Sequence, residues 1–446
     1  MRIKKHFLAF YLRIVYNCPE ERGNMDIEVN YKNKKRYKTA RYPLHQGKFW
    51  TWLIWVLSKC ALIGKKFKVE QIGTEDLKPP YMMLSNHMHF IDFELAAMAT
   101  WPHPVSNVVS IDGYVIKFFL LEWIGAIATR KYTTDIHLVK SIRKVLQRGD
   151  ILAMYPEARY TPCGTLAFLP DSVGKLVKMN KVPVVAVVHH GNHLYAPFWN
   201  FRNKRKVPMH TVFKLILTPE QISQMSVDEI NATLRKELAY DEYRYQKDNH
   251  IRITEPYRAE GLHKVLYQCP HCMTEFKMDS KGTELFCTEC GKRWNWNEDG
   301  FLQALEGETE FDHIPDWFNW ERQQVKKQIE EGTYRFEEEM DVYSLPRVWR
   351  YIPLGKAKVT HTADDGFTLE GHYRGEKYYI HREPAQTNSL HVEYDFGPLK
   401  KKDCFDISTE NDSFYCIPRS HNIITKLAFA TEEIYLRSQK PKKVNE

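Results

Sequence analysis

Between residues 71 and 215, short apolar runs alternate regularly with helix-like segments, and this pattern most constrains the fold of the 446-residue chain. Five apolar runs predict β-strands, at 81–85, 105–111, 124–129, 151–155 and 182–189. The segments between them predict helices, at 90–100, 113–122, 134–148 and 172–180. Because parallel strands need connections of helix size, this order predicts an α/β fold with a largely parallel central sheet.

The chain is longer than a typical single domain. Changes in the sequence pattern along it predict four parts. Residues 71–262 form the α/β domain, whose last segment is helical and highly charged. A basic region with apolar patches precedes it at 1–70, and a small cysteine-containing module follows at 263–298. Residues 299–446 predict a small antiparallel β-rich domain with a terminal helix, because polar, glycine-punctuated runs replace the earlier alternation.

The basic region 1–70 carries 16 Lys and Arg against 5 Asp and Glu, a net charge of +11, whereas the whole chain carries +8. Such a region favours an anionic partner, either lipid or nucleic acid. Segment 49–64 contains three tryptophans and a single charge, Lys59, and is flanked by further lysines. It is shorter than the about 20 apolar residues of a membrane span, but typical of an interfacial helix. A buried core helix is the alternative.

We therefore expect the chain to attach, peripherally or monotopically, to an anionic membrane surface on its cytoplasmic face. Nucleic acid is the less favoured partner, because the basic region lies on the Trp-rich segment, far from the cysteine module.

Two Cys-x-x-Cys pairs define the cysteine module: Cys269 with Cys272, and Cys287 with Cys290. Four thiolates at this spacing favour a structural zinc ion, and two short strands between the pairs complete the pattern of a zinc ribbon. A redox dithiol or an iron site is the alternative. The remaining cysteines are scattered and no secretory signal is evident, so we expect a reducing, intracellular location.

The strongest catalytic pattern is SNHMHFIDF at 85–93, where an apolar strand leads into His87 and a helix begins near Asp92. A carboxylate bonded to one imidazole nitrogen raises the basicity of the other, so the pair predicts a general base, His87, oriented by Asp92. The simpler alternative makes Asp92 a helix cap and His87 a turn residue. His89 is a less favoured base.

Further polar residues follow other predicted strands. Arg130 comes after the strand at 124–129, and Glu157, Arg159 and Tyr160 come after the strand at 151–155. Sites in parallel sheets gather at such carboxyl-end loops, and arginine suits phosphate, so these four residues are candidates for substrate binding. Cys163 is an alternative, covalent nucleophile on the same loop.

In this order and spacing, four blocks within residues 45–215 resemble the glycerolipid acyltransferase family, which acylates lysophosphatidic acid and related lipids. The matching residues, block by block, are Asn86, His87 and Asp92; Gly125 and Arg130; Pro156, Glu157 and Gly164; and Val182, Pro183 and Val187. The third block departs from the family pattern: its glycine, threonine and arginine are replaced by Ala158, Arg159 and Tyr160.

The resemblance implies an O-acyltransferase of the 1-acylglycerol-3-phosphate type. A fatty acyl group would pass from acyl carrier protein or coenzyme A to a lysophospholipid or glycerol-phosphate acceptor, as in phospholipid biosynthesis. Backbone N–H groups near the His87 turn would stabilise the oxyanion, and Arg130 and Arg159 would hold the phosphate. Because the arginine of the third block is displaced, the identity of the acceptor is left open. The alternative function is an inactive scaffold whose zinc ribbon and C-terminal domain recruit a partner.

Overall fold

The computed structural model of the protein describes residues 26–32, 37–39, 41–133 and 135–439. Part of the predicted N-terminal region, residues 1–25, 33–36 and 40, therefore lies outside the described residues. The described strands form three sheets, two of seven strands and one of four.

The first sheet is largely parallel, as the alternation predicts. Its strands are β1 (Phe67–Ile72), β2 (Met82–Ser85), β3 (Val105–Ser110), β4 (Ile127–Thr129), β5 (Ile151–Met154), β6 (Val184–His190) and β7 (Met209–Leu217). Their order is β1-β7-β6-β2-β5-β3-β4, and β6 and β7 are the antiparallel neighbours. The central strand β2 is buried along its whole length, because helices cover both faces of such a sheet. The sequence patterns did not predict β1 and β7.

Helices connect and flank this sheet. They are α1 (Lys48–Ala61), α2 (Ile91–Thr100), α3 (Phe118–Trp123), α4 (Ile136–Gln147), α5 (Ser172–Asn180), α6 (Asn192–Tyr195), α7 (Pro219–Gln224), α8 (Val227–Glu237) and α9 (Glu242–Asp248). Local capping fixes several starts: the Asp135 carboxylate accepts the Leu138 N–H at the beginning of α4, at 2.9 Å. The predicted helices at 90–100, 134–148 and 172–180 are thus confirmed to within two residues at each end, while α3 starts five residues later than predicted.

The cysteine module is a small antiparallel sheet. Strands β8 (Met278–Lys281), β9 (Glu284–Cys287), β10 (Arg293–Trp296) and β11 (Leu302–Ala304) pair in sequence order. Helix α10 (Ile314–Glu330) follows, and its Trp317 indole donates to the Gln268 carbonyl, beside the first cysteine pair, at 3.0 Å. The module therefore packs directly against the helix that leads into the C-terminal sheet.

The third sheet is antiparallel, as predicted for the C-terminal part. Its strands are β12 (Arg335–Ser344), β13 (Ile352–Thr362), β14 (Gly366–Tyr373), β15 (Glu376–Arg382), β16 (His391–Phe396), β17 (Lys402–Ser408) and β18 (Ser413–Ile417), in the order β15-β14-β13-β12-β18-β17-β16. The terminal helix α11 (Ile423–Ser438) contacts α10 and β16.

The C-terminal sheet packs against the first sheet through a shared apolar core. Ile111 and Ala128, at the ends of β3 and β4, belong to the same buried cluster as Leu345, Val348 and Tyr415. The antiparallel sheet therefore lies beside the carboxyl ends of two parallel strands, the edge at which α/β sheets place their sites.

Helix α1 lies on the surface and turns several of its apolar residues outward. Thr51 and Ser58 are its buried residues, whereas Phe49, Trp52 and Leu57 are 60%, 47% and 59% exposed. This polarity is the opposite of that expected for a core helix. In the described part of the chain, no helix has both the length and the apolarity needed to cross a bilayer.

Candidate functional site

His87 and Asp92 meet at the carboxyl end of β2. His87 lies two residues beyond the strand, and Asp92 lies in the first turn of α2. The turn between them folds back, so that His87 Nδ1 and Asp92 Oδ2 are 3.0 Å apart. Because an ionised carboxylate only accepts hydrogen bonds, the ring donates its Nδ1–H and keeps a lone pair on Nε2. This tautomer suits a general base.

Asp92 is fully buried and fully bonded. Its Oδ2 also accepts the backbone N–H groups of Met88, at 2.7 Å, and His89, at 3.1 Å. Its Oδ1 accepts the Asn192 amide at 2.7 Å. Burial by itself would raise the pKa of Asp92, but the electrostatic influence of His189 and the hydrogen bonds from His87 and Asn192 outweigh it and lower the pKa to about 2. Asp92 is therefore ionised at neutral pH.

The same contacts change one expectation from the sequence. The Met88 and His89 N–H groups of the His87 turn are directed at Asp92, so they are occupied and do not form an oxyanion site.

Asn192 and Asn86 connect the His87 turn to the neighbouring strand β6. The Asn86 side chain bonds both the N–H and the carbonyl of His189, at 2.9 and 3.0 Å. Asn192, at the start of α6, reaches Asp92 as described above. Asn192 was not among the predicted site residues. The signal for it was the Gly191-Asn192 turn that follows the strand predicted at 182–189, since a polar residue at the end of a buried strand faces this edge.

The His87 ring lies between two tyrosines. Its centroid is 3.9 Å from that of Tyr155, in a stacked geometry, and 4.2 Å from that of Tyr160. The His87 side chain nevertheless keeps 21% exposure. Burial lowers the pKa of His87, Asp92 opposes that shift, and the charge of Lys131 adds to it. Tyr160, predicted to bind substrate, is thus in direct contact with the candidate base.

Arg159 is directed away from His87, towards the C-terminal helix. Its guanidinium forms a buried ion pair with Glu432 of α11, at 2.6 Å, and donates to the Leu390 carbonyl at 3.3 Å. Arg322 of α10 bonds the other oxygen of the same Glu432 carboxylate. The arginine that is displaced from the family position therefore joins the α/β sheet to the C-terminal part.

Arg130 is also buried against the C-terminal sheet. It donates to the Leu345 carbonyl at 3.3 Å and to the Ser413 hydroxyl at 3.1 Å. The two arginines predicted to bind phosphate thus share one feature: each bonds a residue beyond position 340. Lys131, directly after Arg130, is the cation whose charge acts on His87. The sequence analysis missed Lys131, although its position next to Arg130, after the same strand, was a usable signal.

Glu157 and Cys163 are buried on the loop after β5. Glu157 Oε2 accepts the Ala167 N–H at 2.8 Å, and burial raises the pKa of Glu157 to about 8, so this carboxyl is largely protonated at neutral pH. It can hold the loop together but is a poor base. Burial likewise raises the pKa of the Cys163 thiol to about 11, which disfavours the covalent alternative.

Backbone geometry explains one glycine of the resemblance and one departure from it. Gly125 has φ +76°, and a Cβ there would lie 2.5 Å from the Leu44 carbonyl oxygen, so only glycine fits. Ala158 has φ +55°, in the left-handed region that favours glycine, and it occupies the position where the family has glycine.

The four predicted metal ligands lie together in the cysteine module. The Sγ atoms of Cys269 and Cys290 are 3.8 Å apart, those of Cys272 and Cys287 are 3.7 Å apart, and all four lie within 4.8 Å of one another. A tetrahedral zinc with Zn–S bonds of about 2.3 Å places its sulfurs about 3.8 Å apart. The thiolates therefore fit a single metal ion such as zinc.

A separate cavity of about 1100 Å³ lies beyond Arg130. Four further basic residues line it: Lys38, Arg41, Lys140 and Arg347. His87 is not among the lining residues, so this basic cavity is distinct from the His87 site.

Comparison with known proteins gives a distant structural similarity. No protein-family model matches the chain, and no curated protein matches it. The crystal structure of the 1-acyl-sn-glycerophosphate (LPA) acyltransferase PlsC from Thermotoga maritima is similar with a TM-score of 0.35 and 15% sequence identity, over 43% of this chain and 79% of that chain. A TM-score of 0.35 is too low to carry an argument for fold or activity.

Proposed function

We propose that this chain is an O-acyltransferase that moves a fatty acyl group from a thioester to a hydroxyl of a lysophospholipid or glycerol-phosphate acceptor. One observation carries the proposal: the Nδ1–H of His87 is bonded to a buried, ionised Asp92, while Nε2 is left as a base. The four-block resemblance supplies the reaction class.

In the proposed reaction, His87 Nε2 takes the proton of the acceptor hydroxyl as its oxygen attacks the thioester carbonyl. The new C–O bond gives a tetrahedral oxyanion. When the C–S bond breaks, the leaving thiolate takes the proton from Nε2, so the histidine returns to its neutral form. Asp92 stabilises the transient imidazolium, because its charge is 3.0 Å from Nδ1. The thioester is carried by acyl carrier protein or by coenzyme A.

The proposed acceptor site lies around His87, Tyr160 and Lys131. Lys131 supplies a positive charge within electrostatic range of His87, as an anionic head group requires. Arg130 and Arg159, the residues first expected there, serve instead to anchor the C-terminal part beside this site.

We also propose a peripheral or monotopic membrane association on the cytoplasmic face. Helix α1 exposes Phe49, Trp52 and Leu57, and α3 has no buried residue. The two helices are joined by Trp50 and Trp123, whose rings are 5.7 Å apart. An apolar surface of this kind, beside a basic N-terminal region, is typical of proteins that bind anionic bilayers. Replacing Trp52 and Leu57 with Glu should abolish co-flotation with vesicles that contain phosphatidylglycerol, and unchanged co-flotation would contradict the association.

The cysteine module is proposed to hold a structural zinc. It lies far along the chain from His87 and enters no chemical step. Its role is to fix the fold of a small sheet with little core of its own.

The deciding experiment measures acyl transfer by the purified full-length protein. Labelled acyl coenzyme A and acyl carrier protein are each combined with lysophosphatidic acid, glycerol 3-phosphate and other lysolipids. The His87→Ala variant should lose transfer while keeping its circular dichroism and Tm, and His89→Ala is the matched control that should retain it. Full activity of a folded His87→Ala variant would overturn the mechanism.

A second candidate is a scaffold without catalytic activity. The observation in its favour is that Tyr155 and Tyr160 enclose the His87 ring, while Arg159 is committed to Glu432. A scaffold would give no transfer with any donor or acceptor in the same assay, and its His87→Ala variant would behave as the wild-type protein.

A further inference from the structure

A second polar cluster lies where the two large sheets meet. Asp112 follows β3 of the first sheet, and His391 and Glu393 lie on β16, the edge strand of the C-terminal sheet. Because residues i and i+2 of a strand point to the same face, His391 and Glu393 are directed together. One ligand atom of each of the three residues lies within 4.8 Å of the other two.

The His391 ring is oriented by a carboxylate behind it. Its Nδ1 bonds Asp406, its partner in the register between β16 and β17, and its Nε2 lies 3.1 Å from Glu393. Since Asp406 accepts the Nδ1–H, Nε2 is the ring nitrogen that faces Glu393 and is placed to bind a metal ion. A carboxylate–histidine pair with the far nitrogen directed at further carboxylates is the arrangement that prepares a histidine to bind a metal ion.

The carboxylates of the cluster outnumber the nearby cations. Asp112, Glu393 and Asp406 are three carboxylates, and Lys131 is the nearby ammonium, whose charge acts on both Asp112 and His391. Among the described residues, Asp112 Oδ1 is a buried atom without a hydrogen-bond partner. A buried carboxylate oxygen without a hydrogen-bond partner destabilises the fold. A cation between Asp112, His391 and Glu393 would remove that destabilisation.

We propose that Asp112, His391 and Glu393 bind a divalent cation of the Mn²⁺ class, with Asp406 as the residue that orients His391. Two carboxylates and one imidazole suit this class, and the remaining coordination positions stay open to oxygen ligands. The three ligand atoms lie within 4.8 Å of one another, so they are close enough to share one ion.

Tyr160 connects the site with His87. Its ring lies 4.2 Å from that of His87, and the negative charges of Glu393 and Asp112 both act on it. The charge of Lys131 acts on both His87 and His391. Resting on the proposed function, we infer that the open coordination positions accept the acceptor's phosphate, a task for which Arg159 is no longer free.

The binding experiment uses Mn²⁺ alone and the full-length protein with its zinc content verified. Free Mn²⁺ is followed by electron paramagnetic resonance. We expect one Mn²⁺ per chain in addition to zinc, with affinity reduced at least tenfold in Asp112→Asn and Glu393→Gln, and about 10- to 100-fold in Asp406→Asn. Asp364→Asn, an exposed acid on another loop, is the matched control and should bind as the wild type. Absence of Mn²⁺ binding, or equal binding by the folded Asp112→Asn and Glu393→Gln variants, would overturn the site.

The functional experiment compares lysophosphatidic acid with monoacylglycerol, which lacks the phosphate. Mn²⁺ should lower the KM for lysophosphatidic acid and leave the KM for monoacylglycerol unchanged. Asp112→Asn should raise the KM for lysophosphatidic acid and change kcat less. Binding of Mn²⁺ without an effect on KM would overturn the phosphate role and support the metal site. If the wild-type protein transferred no acyl group to any acceptor, the acyltransferase proposal would be refuted. The Mn²⁺ titration would still decide whether the metal site exists.

Discussion

Exchanging Asp92 and Asn192 in one double variant, Asp92→Asn with Asn192→Asp, would test whether His87 needs a charge or merely a hydrogen bond. Both residues are fully buried, and their side chains are 2.7 Å apart. In the exchanged protein, the side-chain oxygen of the asparagine at position 92 can accept the His87 ring N–H and the backbone N–H groups of Met88 and His89. The NH₂ group of the same asparagine can donate to the aspartate at position 192. Every hydrogen bond is kept, and the negative charge moves by one residue.

The expected magnitude follows from the distances. The charge now lies 3.0 Å from His87 Nδ1, and after the exchange it would lie one hydrogen-bonded side chain further away, at about 6 Å. At an effective dielectric constant of about 20, the attraction for the imidazolium falls from about 5.5 to about 2.8 kcal/mol. A difference of about 2.8 kcal/mol corresponds to about a 100-fold loss in kcat/KM.

The assay compares kcat/KM for acyl transfer in the wild type, the exchanged variant and Asp92→Asn. Asp92→Asn removes the charge altogether, so it should lose about 10⁴-fold, more than the exchange. Circular dichroism and Tm confirm folding. A folded exchanged variant with wild-type kcat/KM would refute the electrostatic role assigned to Asp92.

Three further predictions follow. Because burial lowers the pKa of His87 below its ordinary value near 6.5, the acid limb of kcat/KM should have its midpoint below that value; a midpoint above it would contradict this. Metal analysis of the purified protein should find one zinc per chain. The double variant Cys272→Ser with Cys290→Ser should bind no zinc and should have a lower Tm, and an unchanged Tm in this metal-free variant would argue against a structural role. Arg159→Ala removes one partner of the buried Glu432 carboxylate, so the free energy of unfolding in urea should fall by about 3 kcal/mol while the KM for the acceptor changes little. A raised KM at unchanged stability would instead favour a role of Arg159 in substrate binding.

Much of the parallel sheet followed from local sequence patterns. The strands at 81–85 and 151–155 are buried, nearly continuous apolar runs, which is the pattern of strands covered on both faces. The edge strand β1 was missed because it is largely exposed and has no clear alternation. Strand β12 also lacks a clear pattern, since its run of glutamates conceals the buried Phe336 and Met340.

The sequence by itself determined the parts of this protein whose partners are close along the chain. His87 and Asp92 are five residues apart, so one turn brings them together, and each Cys-x-x-Cys pair is set by its own turn. Tertiary structure decided what depends on distant residues. Asn192 reaches Asp92 from 100 positions away, Arg159 meets Glu432 from 273 positions away, and Asp112 meets His391 across two sheets. Such contacts depend on how separate sheets pack, and side-chain spacing along the chain carries no record of that packing.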